Sequence, residues 1–260
     1  MNTENINPDQ NSWPNEISLS AFRQAWKLEG APVWETVFEM HKGNMQIKNI
    51  NVAVSNLENI FNTTFRLTDQ KGFQAMSLRD LSRETGISMG GLYAYIGSKN
   101  DLASVIEAVL SHYILMVFGS LAEHELDPVS HLKAIIYGEI YLNEIMNPWF
   151  NFCYMELKGL PREQQEKAMD LELQAQSILV HNFKKGIEQG VFRCDDPEML
   201  AVHAVAMQQE WYLKRWKFKR MKVDADFFAG SVLAFVLKAL NCESNIDSSC
   251  ADRHKLERAV

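Results

Sequence analysis

Gly72-Phe73-Gln74-Ala75-Met76-Ser77-Leu78-Arg79-Asp80-Leu81-Ser82-Arg83-Glu84-Thr85-Gly86-Ile87-Ser88-Met89-Gly90-Gly91-Leu92-Tyr93-Ala94-Tyr95-Ile96-Gly97-Ser98-Lys99 reads as two short helices meeting at a tight turn. The spacing predicts helices over Ser77–Glu84 and Ser88–Tyr95, and a longer one from Ser98 to about Phe118. Each opens on a serine placed as an N-cap. Ser77 and Ser98 also have an aspartate three residues on, Asp80 and Asp101, a variant of the capping box. Thr85-Gly86-Ile87 joins the two short helices: Gly86 permits the tight backbone and Ile87 plugs the angle. Leu78, Leu81, Ile87, Leu92 and Ile96 then form a small core, closed by Phe61 and Phe65 of the preceding helix. That is helix-turn-helix geometry, with the second helix offered to a major groove.

The segment resembles the N-terminal DNA-binding domain of the TetR family of bacterial regulators. The resemblance rests on Phe61, Gly72-Phe73, Ser77, Leu81, Gly86-Ile87-Ser88, Gly90, Leu92-Tyr93, Tyr95, Ser98-Lys99 and Leu102. Gly190-Val191-Phe192 followed by Asp196-Pro197 resembles a recurrent feature of that family's regulatory domain. The resemblance implies an all-α fold, with an N-terminal three-helix DNA-binding domain and a helical regulatory and dimerisation domain. It implies a homodimer that reads a pseudo-palindromic operator on double-stranded DNA, most often as a repressor. Carried over by position, Ser77 and Lys99 would meet phosphates at helix starts, which favour anions. Tyr93 would reach the DNA backbone, with Tyr95 placed alike. Ser88, Met89, Gly90, Gly91 and Ala94 would line the reading side. Arg79 is a further phosphate candidate, while Arg83 suits a solvated face. Met89 and Gly91 depart from the family's usual polar residues, so apolar contact with thymine methyls, backbone contacts and indirect readout are expected to outweigh bidentate pairs.

Before this segment, Lys48 to Thr68 places Ile50, Val54, Leu57, Phe61 and Phe65 on one helical face. Residues 1–47 form an extension unusual for the family. It carries two short amphipathic helices within Ser18–His41, separated by Gly30-Ala31-Pro32, and an aromatic surface (Trp26, Trp34, Phe38) expected to cover the same subunit or clasp a partner. Residues 48–97 are read as the DNA-binding domain and 98–242 as the ligand-binding and dimerisation domain, with helices at Pro128–Met146, Pro148–Lys158, Pro161–Gln189, Pro197–Lys219 and Ala225–Leu240. Residues 243–260 are read as a polar tail.

Composition narrows the function. The net charge is −7, but residues 48–102 carry six basic against five acidic side chains, and DNA binding needs only local positive charge. The longest apolar runs, such as Ile114–Phe118 and Val232–Leu237, fall short of the roughly 20 residues that span a bilayer. The polar start lacks the pattern of a signal peptide, so a cytoplasmic location without membrane attachment is expected. Cys153, Cys194, Cys242 and Cys250 form no C-x-x-C pair. Cys250 and His254 are the nearest thing to metal spacing, and they lie in the tail. Neither metal, cofactor nor catalytic residues are expected, since no nucleotide-binding, zincin or nucleophile-elbow motif is present.

For a small apolar or aromatic effector, the expected wall is Tyr137, Tyr141, Trp149, Phe150, Phe152, Tyr154, Met155, His181, His203, Met207 and Trp211. The two histidines are better suited to ordinary core or surface positions. Phe227, Phe228, Val232, Phe235 and Val236 are the expected dimer contacts. An effector- or protein-binding helical dimer with a degenerate reading helix is the alternative; a helical enzyme has no catalytic constellation behind it.

Overall fold

The computed structural model describes residues 13–121 and 123–241, and these contain helices and turns but no strand. The helices are α1 (Leu19–Trp26), α2 (Ala31–His41), α3 (Ile50–Lys71), α4 (Leu78–Thr85), α5 (Met89–Tyr93), α6 (Lys99–Leu121), α7 (Pro128–Ile145), α8 (Asn147–Met155), α9 (Arg162–Glu188), α10 (Pro197–Leu213), α11 (Arg215–Met221) and α12 (Ala225–Ala239). Residues 1–12 of the extension lie outside the described residues, as do Cys242, Cys250, His254 and the polar tail.

Three expectations need correcting. Ala31 and Pro32 are not part of a breaker: they open α2, where a proline's missing N–H is harmless, and residues 27–30 separate the helices. The single helix expected over Pro197–Lys219 is two. Lys214 leaves helical geometry (φ −125°, ψ 42°), and α11 starts afresh behind it. Finally, α6 is long and apolar enough to cross a membrane by length and composition. Scattered polar residues such as Glu107 and Ser111 break its apolar sequence into short runs. More than half of that stretch is buried within the protein, which makes α6 a core helix.

The described residues form two compact units. One contains Trp26–Val117 and Ile145–Leu173; the other contains the described parts of Met1–Ala25, Phe118–Glu144 and Gln174–Val260. Both α6 and α9 contribute residues to each unit.

The first unit is built around α3. Asn49 caps it, accepting from Asn51 N–H at 3.0 Å, and Ala53, Leu57, Ile60, Phe61 and Leu67 bury one face. α2, α4 and α8 pack against α3. The Trp34 ring of α2 lies 5.9 Å from Phe61 and 5.8 Å from Trp149 of α8, and Phe61 stacks on Trp149 at 5.7 Å. Phe152 closes on Phe73 at 4.9 Å. Each aromatic ring buried this way stabilises the unit by roughly 2–3 kcal/mol. The apolar surface of α2 therefore covers its own subunit.

In the other unit, Trp13 and Phe22 of the extension pack edge-on (5.0 Å) and approach Tyr141 of α7 at 5.9 and 5.6 Å. They pack over Gly138 of α7, where a Cβ would meet Trp13 at 3.5 Å, an ordinary contact distance. Trp211 of α10, Phe218 of α11 and Phe228 of α12 form a second aromatic cluster, with centroids 4.7–4.9 Å apart.

Candidate functional site

The turn between α4 and α5 is fully furnished with hydrogen bonds. Ser77 and Asp80 make a reciprocal capping box, and Ser88 accepts from Gly91 N–H. Gly86 adopts the left-handed conformation (φ 73°, ψ 2°), which an L side chain resists. Ser82 Oγ donates to Ile87 O at 2.6 Å, and Asn59 Nδ2 of α3 donates to Thr85 O at 2.9 Å. Leu81, Leu92 and Ile96 are buried; Leu78 and Ile87 are half-buried at the rim. The small core foreseen from the sequence therefore exists, with Trp149 and Phe152 of α8 added beneath Phe61, Phe65 and Phe73.

The residues named for DNA separate into two groups. Ser77, Arg79, Ser88, Gly90 and Tyr93 are exposed, and Met89, Gly91 and Ala94 half-exposed. Tyr93 is 48% exposed. Tyr95, by contrast, is only 5% exposed, and its hydroxyl accepts from Asn56 Nδ2 at 2.7 Å. Lys99 also turns inward. Its ammonium donates to the carbonyls of Phe73, Gln74 and Met76 at 3.0, 3.0 and 3.2 Å and lies over the Phe73 ring. Burial lowers its pKa, with Glu156 opposing. All three ammonium protons thus pin the start of α6 to the α3–α4 turn.

The cations of the segment are similarly committed. Lys71 and Arg83 both reach Asp80, and Arg66 and Arg83 reach Glu84. The Lys71 and Ser77 partners hold the Asp80 carboxyl well below the usual carboxylate range. Among the described residues, Arg79 and Lys48 carry no such ion pair. Lys48 has a further distinction that the sequence did not reveal: two residues before it, Gln46 N–H donates to Ala94 O at 2.9 Å. The segment entering α3 is therefore tied to the end of the reading helix.

The two glycines of that helix are not equivalent. A Cβ on Gly91 would meet Ile87 Cγ2 at 2.9 Å, whereas one on Gly90 would meet nothing. Gly91 is required by the turn beneath it; Gly90 is required by nothing inside the protein.

The expected effector residues fall in both units. Trp149 and Phe152 are core residues of the unit that holds the helix-turn-helix, Phe150 is buried there too, and Tyr154 and Met155 are exposed. In the other unit Tyr141 and Trp211 are buried, Tyr137 and Met207 half-buried, and His181 and His203 exposed. Sequence reasoning missed the polar groups beside them. Glu144 of α7 accepts from Trp211 Nε1 at 3.1 Å and from Arg215. One residue before it, Asn143 is wholly buried and donates to Glu139 at 3.1 Å. Gln208, one turn before Trp211, is buried too. The side-chain oxygens of Asn143, Asn182 and Gln208 accept no hydrogen bond. Burial pushes the Glu139 carboxyl up to about 7. Tyr141 donates to Asp226 of α12, and burial with that bond raises its pKa. The Cys153 thiol is pushed up to about 12 by burial, an inert state.

On α12, Val232 and Val236 are buried in their own subunit and Phe228 stacks on Trp211, while Phe227 is half-exposed and Phe235 56% exposed.

Residues 60–106 match the family model of bacterial regulatory proteins, tetR family. The chain is 24% identical over 180 residues to the HTH-type transcriptional repressor KstR2 of Rhodococcus jostii (strain RHA1), covering 68% of this chain and 86% of that protein. Solved structures share the fold. AibR in complex with isovaleryl coenzyme A and operator DNA superposes with a TM-score of 0.60 at 19% identity, covering 72% of this chain and 99% of that one. FadR from Bacillus subtilis in complex with stearoyl-CoA gives 0.54 at 16% identity, covering 70% and 98%.

Proposed function

We propose that this chain, which belongs to the TetR family of bacterial regulatory proteins, is a cytoplasmic repressor that binds a pseudo-palindromic operator as a homodimer and leaves it when an acyl-coenzyme A thioester binds. The observation that carries the DNA-binding part is the capped turn of α4 and α5. It fixes the start of the short reading helix by its caps and presents Ser88, Met89, Gly90, Tyr93 and Ala94 along an open edge. Ser77, Arg79, Tyr93 and Lys48 are assigned to phosphates, and Met89, Gly90 and Ala94 to the bases. Tyr95 and Lys99 are assigned to holding the site in place, because Asn56 and three carbonyls already occupy their polar atoms.

The effector part rests on chemistry. An apolar interior beside Tyr141 and Trp211 suits an acyl chain, and the unpaired oxygens of Asn143 and Gln208 are acceptors for amide N–H groups such as those of a pantetheine arm. Both AibR and FadR were solved with acyl-CoA bound. Release follows if the thioester prefers the conformation that does not fit the operator.

Selection of genomic fragments by the purified protein at moderate salt should enrich one palindrome, and acyl-CoA thioesters should release it. A protein that enriches no palindrome is the alternative, a helical dimer with a degenerate reading helix.

A further inference from the structure

Residues 214–222, Lys-Arg-Trp-Lys-Phe-Lys-Arg-Met-Lys, hold six cations in a chain whose net charge is −7. They are not all accounted for by the fold. Arg215 pairs with Glu144, and Lys214 and Lys217 pair with Glu210. Lys219, Arg220 and Lys222 are exposed and have no ion pair among the described residues. Some positive charge at the end of α11 complements the helix dipole, but three unpaired cations in one turn also repel one another. The same helix carries Trp216, which is 60% exposed with the Arg220 guanidinium 5.3 Å from its ring. The inner side of the same helix is anchored: Phe218 and Arg215 lie on Trp211, at 4.9 and 4.2 Å.

We infer that this face of α11 holds the phosphorylated nucleotide end of the effector, a reading that rests on the thioester proposed above. The adenine ring stacks on Trp216 against Arg220, and the diphosphate and ribose phosphate meet Lys219, Arg220 and Lys222. Base stacking on an aromatic ring combined with cations for the phosphates is how proteins hold nucleotides without reading their sequence. A membrane fits less well. α11 is seven residues long and exposes only Trp216 and Met221 as apolar groups, because Phe218 is buried; an interfacial helix needs a continuous apolar face.

The test is calorimetric titration of the full chain with free coenzyme A, octanoyl-CoA and octanoate. The variants are Lys219→Gln/Arg220→Gln/Lys222→Gln and Trp216→Leu, all at exposed positions and checked by thermal melting. The wild type should bind both coenzyme A compounds, more weakly as salt rises. The triple variant should lose about tenfold or more in affinity for them, Trp216→Leu about fivefold, and both should bind octanoate as the wild type does. Unchanged thioester binding in the triple variant would overturn the assignment and leave the effector reading standing. A wild type that binds neither coenzyme A compound would sink both. Loss of operator affinity, or of retention on phosphatidylglycerol vesicles, with thioester binding intact would give the patch to another partner and overturn the assignment.

Discussion

Lys99 illustrates how a side chain's partners redefine its role. Its position at the start of a helix suits a phosphate contact, yet its three protons go to the carbonyls of Phe73, Gln74 and Met76. Hydrogen bonds from a charged donor are worth about 1.5–3 kcal/mol. Lys99→Met, which keeps the apolar stem, should lower stability by about 2 kcal/mol in denaturant titration. The salt dependence of operator binding should stay as it is. A slope that falls by about 0.9 for each subunit would return Lys99 to the phosphates.

Glu139 makes a second prediction. Its carboxyl, raised to about 7 by burial, keeps its proton in the folded protein where the unfolded chain has released it. Between the unfolded value near 4.5 and about 7 the folded state therefore binds more protons, and stability falls as pH rises through that window. Above it the penalty is constant. Glu139→Gln retains the oxygen that accepts from Asn143 and should raise stability by on the order of 2–3 kcal/mol at pH 8, with little effect at pH 4. An equal gain at both values would mean that Glu139 titrates normally.

At the level of the helix, α5 is short and contains two glycines, each disfavouring a helix by roughly 1 kcal/mol relative to alanine. The structure separates them: Gly91 has no room for a side chain and Gly90 has all the room it needs. Gly90→Ala should therefore stabilise the unit by up to about 1 kcal/mol. If the glycine serves close approach of backbone to DNA, the same variant should lose about tenfold in operator affinity. A variant that gains stability and keeps its affinity would show that Gly90 merely leaves the helix loosely formed. Thr85-Gly86-Ile87 was legible as a turn because Gly86 marks it chemically. The break at Lys214 was not, because no glycine or proline marks it and the apolar spacing runs straight through.

For the whole molecule, Phe235 is the largest apolar side chain left outside on α12, whereas Val232 and Val236 serve the subunit's own core. The proposed dimer therefore centres on Phe235 with Phe227 at its side. Phe235→Lys should shift light-scattering mass towards the monomer, and operator affinity should fall by a hundredfold or more as cooperation between half-sites is lost. A dimer that persists would place the interface elsewhere.

The helix-turn-helix of α4 and α5 could be read from the chain alone, because caps, a left-handed glycine and helical spacing are local rules that act over a few residues. The same holds for most helix positions and for the all-α class. What needed the fold was every statement about partners distant in sequence. Trp149 and Phe152 look like ligand-binding aromatics until they are seen against Phe61, Phe65 and Phe73. Tyr95 and Lys99 look like DNA contacts until Asn56 and the α3–α4 turn occupy them. The α11 cations vanish in a regional charge count that sums them with the acidic helices around them. Charge and aromaticity are properties of a residue, but burial and pairing belong to the surroundings that the chain brings together when it folds.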